Sequence, residues 1–264
     1  MQTLSSEYAR RGARTKRQHA PREHYGADGF SWHIEFPERT AAVMGARKPL
    51  AKVCLQGAET HEVRIPVAVA RALEKRGEAE PVCKNELLHL VKRTMDTCAW
   101  QLVVDMASRR EYSAHEATER LCRDGFSRPC AERIVSLACE KRVISDKRFV
   151  ESFVRSKLSC GWGTLRIERE LKQRGVDPGT ISGWPDAFLG DEAPYERACE
   201  ALRTKRIPET NAYPKLMRYL ISRGYAPDTA KQAVKAKLSA CEDTSDSIST
   251  NSGQRQAEAS LTRT

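Results

Sequence analysis

What this 264-residue chain lacks narrows its class before any motif is read. Aromatic residues make up only 6% and apolar residues 40%, and the mean hydropathy is −0.60. That share is slightly below the globular norm, so part of the length is expected to carry no packed core. No run of about 18 apolar residues occurs, so no membrane-spanning helix is expected. No apolar stretch follows the basic residues near the N-terminus, so a secretory leader is not expected and a cytoplasmic setting is. The nine cysteines include no Cys-x-x-Cys pair, and the six histidines are not spaced with them as metal ligands; neither a metal nor a cofactor is expected. The cysteines lie scattered through helical stretches, which suits reduced thiols, with Cys122, Cys130 and Cys139 lining one core. Gly161-Trp-Gly163 lacks the lysine and the preceding strand of a phosphate-binding loop, and no Ser-His-Asp order is legible. His89 and His115 read as helix-surface residues. A non-enzymatic protein is the expectation.

What is present is basic charge. Lys and Arg number 45 against 35 acids, a formal charge of +10, with a pI near 9.2. Such an excess points to an anionic partner, and nucleic acid is the expected one. It is unevenly placed. Up to His24 there are six bases (Arg10, Arg11, Arg14, Lys16, Arg17 and Arg22) against two acids. Residues 1–46 therefore read as a disordered basic tail, or as an arm laid along phosphates. Residues 241–264 are dominated by Ser, Thr, Asp, Gln and Glu and read as a second disordered tail.

Between the tails the pattern is first β, then helical. In residues 47–84, Ala51–Leu55 and His61–Ile65 read as two strands of a hairpin, the second with period-two alternation. Pro66 suits the first turn of a helix from Val67 to Arg76, ended by Gly77. A hairpin and one helix are too small to be stable alone and should pack on the helical part of the chain. From Asn85 onward the chain is helical. Ser113-Ala-His-Glu116 has the form of a capping box, in which the serine accepts from an amide and the glutamate reaches back. Ser145 or Asp146 is placed to cap a later helix.

The helical part repeats. Leu121-Cys-Arg-Asp-Gly125-Phe126, Leu171-Lys-Gln-Arg-Gly175-Val176 and Leu220-Ile-Ser-Arg-Gly224-Tyr225 place their glycines 50 and then 49 residues apart. Four further apolar sets keep this register: Ala131, Ile181 and Ala230; Ala117, Ile167 and Leu216; Val103, Phe153 and Leu202; Ala99, Phe149 and Ala198. The period predicts three units of three helices, over residues 85–145, 146–190 and 191–240. The expected helices run 96–109, 113–124 and 128–142, then 146–159, 162–174 and 178–189, then 193–206, 211–223 and 227–239. The fold class is mainly α: tandem three-helix repeats, three in number, with a small N-terminal β-hairpin-plus-helix extension and disordered tails. Such a row would offer a long curved surface suited to an extended partner. Gly125, Gly175 and Gly224 are expected at positive φ, closing their helices.

Within the repeats, Arg155–Arg174 contains six bases and two acids, 177–200 six acids and one base, and Arg203–Lys237 nine bases and two acids. The candidate binding residues are Arg155, Lys157, Arg166, Arg169, Lys172 and Arg174 in the middle block, and Lys205, Arg206, Lys215, Arg218, Lys231 and Lys235 in the last. Trp162, beside the middle block, packs in the core or stacks on a nucleotide. Tyr112 reads as a staple at a helix start rather than a stacking residue.

Three stretches stand out: Ala107-Ser-Arg-Arg-Glu-Tyr112-Ser113-Ala-His-Glu116, Val143-Ile144-Ser-Asp146-Lys-Arg-Phe149-Val-Glu-Ser-Phe153 and Gly161-Trp-Gly-Thr-Leu-Arg166-Ile167-Glu-Arg-Glu170-Leu171-Lys-Gln-Arg-Gly175-Val176. On these stretches residues 95–240 resemble the RecX regulatory proteins, which restrain the RecA recombinase of bacteria. The hairpin and helix of 50–83 resemble an N-terminal extension of some members. The Trp184-Pro185 pair interrupts the helix expected there. The resemblance implies tandem three-helix repeats and a monomer that binds the RecA filament on DNA and inhibits its recombinase and ATPase activities in DNA repair. Single- or double-stranded DNA is a second partner, no membrane is involved, and no catalytic residues are implied. Two other functions are compatible with the residues: sequence-independent nucleic-acid binding, and a helix-turn-helix transcription regulator, although a single recognition unit has no need of a thrice-repeated turn.

Overall fold

The computed structural model describes residues 22–26, 30–38, 48–57, 60–75, 81, 83–190 and 193–240. These fall into two compact units. One comprises residues 1–99 with 121–127, the other 100–120 with 128–264.

The first unit is built on a four-stranded antiparallel sheet in the order β1 (His24–Tyr25), β2 (Ser31–Glu35), β3 (Leu50–Gln56), β4 (His61–Pro66). Pairing places Trp32 opposite Leu55 and Ile34 opposite Val53, and Val53 opposite Val63. Helix α1 (Val67–Lys75) packs on β3 and β4, burying Val69, Ala70 and Leu73. Pro66 closes β4 instead of entering the helix. The sheet corrects the two-stranded hairpin expected here. It also corrects the expectation that all of 1–46 is a disordered tail, because β1 and β2 come from that stretch. The signal was the alternation Ser31-Trp-His-Ile-Glu35, whose Trp32 and Ile34 are buried between more open neighbours. Five residues inside a basic, weakly patterned segment are too few for period two to stand out. Residues 1–21 and 241–264, read as parts of the tails, lie outside the described residues.

The later helices are α2 (Lys84–Ala107), α3 (Ala114–Arg123), α4 (Arg128–Glu140), α5 (Asp146–Ser159), α6 (Thr164–Gln173), a 3₁₀ turn at Pro178–Thr180, α7 (Asp186–Leu189), α8 (Pro194–Arg203), α9 (Ala212–Arg223) and α10 over residues 227–240. α2 begins at Lys84, where the chain was expected to turn helical, and runs through most of the helix expected over 96–109. The single helix expected over 178–189 is broken into the 3₁₀ turn and the one-turn α7. Pro185 has no N–H to donate to a helix, Gly183 takes φ +87°, and neither fits a helix interior.

The second unit carries two described hydrophobic clusters. One joins Phe149, Val150 and Val154 of α5 to Ile167 and Leu171 of α6 and to Val176, with Trp162, Ile181, Trp184 and Phe188 packed around it. The other joins Ala198 and Leu202 of α8 to Leu216 and Leu220 of α9, Tyr225, and Ala230, Ala233 and Val234 of α10. Register positions of the sequence period recur in both: Phe149 with Ala198, Ile167 with Leu216, Leu171 with Leu220, Val176 with Tyr225. At about 25 cal/mol per Å² of buried apolar area, each such cluster is a main contributor to the stability of its helices.

Candidate interaction surface

The site-bearing helices are held by joints between helix ends. An α-helix leaves its first N–H groups and last C=O groups without internal partners. Here the start of one helix supplies donors to the end of a later one. At the start of α6, Gly163 N donates to Arg223 O at 2.8 Å and Leu165 N to Gly224 O at 3.1 Å, at the end of α9. At the start of α3, Ser113 Oγ donates to Arg174 O at 2.9 Å, beyond the end of α6. Fifty residues separate Ser113 from Gly163 and forty-nine separate Arg174 from Arg223, so the two joints occupy equivalent places in the period. A third helix end, that of α3, is met by the residues leading into β3: Lys48 N donates to Arg123 O at 2.9 Å and Lys48 Nζ pairs with the buried Asp124 at 2.7 Å.

Gly125, Gly175 and Gly224 stand at these joints with φ of +98°, +73° and +91°. Each also lacks room for a side chain. A Cβ on Gly175 would overlap His115, one on Gly224 would overlap the Arg166 backbone, and one on Gly125 would overlap the Leu50 side chain. The glycines thus meet two demands at once, a left-handed backbone and close approach of another segment.

Polar side chains tie the α3–α6 joint. Ser113 Oγ accepts from Glu116 N at 3.0 Å, as a helix cap should. The Glu116 carboxylate pairs with Arg110 Nη1 at 2.9 Å and with Arg174 Nη1 at 2.5 Å. Asp146 Oδ1 accepts from Ala114 N at 2.8 Å, so it caps α3, while Ser145 caps its own helix α5 through Arg148 N. Arg148 in turn bonds Glu111, Arg142 O and Val143 O. Phe149 is buried in the adjoining cluster. Replacing Glu116 with alanine is expected to cost roughly 1.5–3 kcal/mol, because charge-assisted bonds to a half-buried guanidinium are lost. Arg110→Ala, at an exposed partner, should cost less than about 1 kcal/mol. Urea unfolding midpoints of the two variants check the order.

The chain is similar to known proteins. Residues 145–182 match the family model described as "RecX, second three-helix domain". The chain is 33% identical over 136 residues to the regulatory protein RecX of Chromohalobacter salexigens, a match covering 50% of this chain and 87% of that one. It is 30% identical over 138 residues to the regulatory protein RecX of Mannheimia succiniciproducens, covering 50% and 88%. The chain belongs to the RecX family. A crystal structure of regulatory protein RecX superposes with a TM-score of 0.48 at 19% identity, covering 76% of this chain and 96% of that one. The relatives carry the name of a regulatory protein, not of an enzyme.

In this RecX-family chain the candidate cations divide by what they touch. Arg174 is held at its joint: it pairs with Glu116, lies over the Phe153 ring at 5.1 Å, and its Nε is buried without a partner. Arg166 covers Trp162, its guanidinium 3.8 Å from the ring centre, and reaches Ser222 O at 3.3 Å. Lys157 approaches the same ring at 4.9 Å. Trp162 therefore packs on the α5–α6 cluster with one neighbour already stacked on it. Tyr112 is likewise covered, by Arg110 at 3.6 Å. Lys205 lies over Tyr219 at 4.5 Å and Lys215 reaches Thr210 Oγ1 at 3.5 Å. The exposed remainder is Arg155 on α5, Arg169 and Lys172 one turn apart on α6, Arg206 after α8, Arg218 on α9, and Lys231 and Lys235 one turn apart on α10. On α6 these cations lie away from the buried Ile167 and Leu171. Sequence reasoning grouped all twelve by charge alone. It had no signal for the joints, which depend on which helix end meets which. Lys237, outside those twelve, is drawn to the end of α8, where it donates to Lys205 O at 2.6 Å and to Leu202 O. A cation there is favoured by the carbonyl ends of the helix. Among the described residues, no helix is long and apolar enough to cross a membrane.

Proposed function

We propose that this protein binds the RecA recombinase filament on DNA and inhibits its recombinase and ATPase activities. It works in DNA repair in the cytoplasm, as a monomer and without catalysis of its own. Membership of the RecX family carries the reading. The exposed cations on α5, α6, α9 and α10 support it, since a filament coated on DNA offers regularly spaced anionic groups. The mode is binding by an extended set of weak contacts, not a single pocket.

The test is ATP hydrolysis by RecA on single-stranded DNA with the full chain added, together with a pull-down of assembled filaments. Co-sedimentation with filaments and a dose-dependent fall in hydrolysis are expected. No binding and no change in hydrolysis at molar excess overturn the reading. The same exposed cations also favour sequence-independent binding to DNA alone. Tight, salt-sensitive binding to bare single strands with no effect on RecA would assign the function to that.

A further inference from the structure

The face of the sheet away from Trp32 and Ile34 carries a cluster that no part of the proposed function uses. His33 and Glu35 alternate with the buried pair on β2, and the strand register sets Cys54 of β3 directly opposite His33. An imidazole nitrogen of His33, a carboxylate oxygen of Glu35 and the Cys54 sulfur all lie within 4.8 Å of one another. His33 Nε2 is 3.5 Å from Glu35 Oε1. Ligands bound tetrahedrally at zinc distances stand about 3.3–3.6 Å apart, so the nitrogen and oxygen are already at ligand spacing, and the sulfur lies within 4.8 Å of both. Cys54 is 6% exposed, and the His33 side chain 14%. Two of the three donors are therefore sheltered and held by a paired backbone, which lowers the entropy lost on binding.

We propose that His33, Glu35 and Cys54 form a binding site for a divalent zinc-class metal ion that pins β2 to β3. The donor set selects the class: thiolate and imidazole favour zinc over magnesium or calcium, which take oxygen ligands. Three protein ligands leave a fourth position for water, or for Glu62, which pairs with Cys54 in the register across to β4 and now bridges to Lys52 at 3.2 Å. The chain spacing of 21 residues between His33 and Cys54 matches no metal-binding motif. The antiparallel register alone brings them together, which is why the sequence hides the site.

The test uses the full chain, reduced and stripped of metal, with Co²⁺ as the probe and Zn²⁺ as competitor. A thiolate–cobalt absorption that saturates at one equivalent, is bleached by one equivalent of Zn²⁺, and is lost in Cys54→Ser is expected. His33→Gln keeps the thiol and should weaken binding by more than about tenfold, since loss of even an outer-sphere partner costs about 10- to 100-fold. The absence of a thiolate band overturns the site. So does a band that persists in Cys54→Ser, which would place the metal on another cysteine, or a titration unmoved by His33→Gln. None of these outcomes depends on RecA.

Discussion

Gly224→Ala should destabilise the second unit more than Gly161→Ala, although both glycines have positive φ, +91° and +71°. The alanine at 161 meets only Ala201 Cβ at 3.6 Å and Arg223 Nη1 at 3.7 Å, ordinary contact distances. Its cost is conformational, about 1–2 kcal/mol. At 224 the same conformational cost applies, but the new methyl falls on the Cβ and backbone N of Arg166. Backbone cannot swing aside, and Leu165 N loses its geometry to Gly224 O if the helix start withdraws. Overpacking of this kind adds roughly 1–3 kcal/mol. Gly175→Ala should behave similarly, against His115. Gly57→Ala is the neutral control, because that position has no atom within 4 Å and no positive φ. Thermal unfolding of the four variants decides it. Equal shifts for Gly161 and Gly224 would show that the joint contributes nothing beyond the turn.

Reversing Arg155, Arg169 and Lys172 together to glutamate should weaken filament and single-strand binding while leaving the melting temperature nearly that of the parent. All three are exposed, and none shares the joint contacts of Arg174 or the stacking of Arg166 on Trp162. Surface changes of this type move stability by less than about 0.5 kcal/mol. If each cation neutralises one phosphate, each releases about 0.7 counterion on a single strand. Three contacts then correspond to about a hundredfold in affinity near 0.1 M salt, and to a salt slope shallower by about 2. Fluorescence anisotropy over a salt series gives both numbers. An unchanged slope with unchanged melting removes α5 and α6 from the interface. Arg166 and Arg174 are unsuitable for this test despite their charge, because reversing either would damage a joint or a packed tryptophan.

Much of the architecture was legible because it repeats. A lone Leu-x-x-x-Gly carries little information, but three at one period set the second helix of each repeat and the burial of Leu121, Leu171 and Leu220. The apolar spacing within each helix follows from about 3.6 residues per turn, which is a local property. Where the local pattern was short or broken the reading failed. Trp32 and Ile34 were too brief a strand signal inside a basic segment, and the 178–189 helix dissolved around Pro178, Gly183 and Pro185. The box at Ser113 and Glu116 was half right. The serine caps α3, while the glutamate serves Arg110 and Arg174, the latter a partner 58 residues away.

The sequence by itself determined the helical class, the period, the positive-φ glycines and the uneven placement of basic charge. These depend on neighbours within a turn or two, or on composition. Tertiary structure alone decided which cations remain exposed, because Arg155 and Arg174 are alike as residues and differ only in what lies beside them. It also decided that the glycines sit where another segment closes in, and that His33 and Cys54 face each other across a register. Each of these is a meeting of groups distant in the chain, settled by packing and strand pairing, which local spacing does not encode.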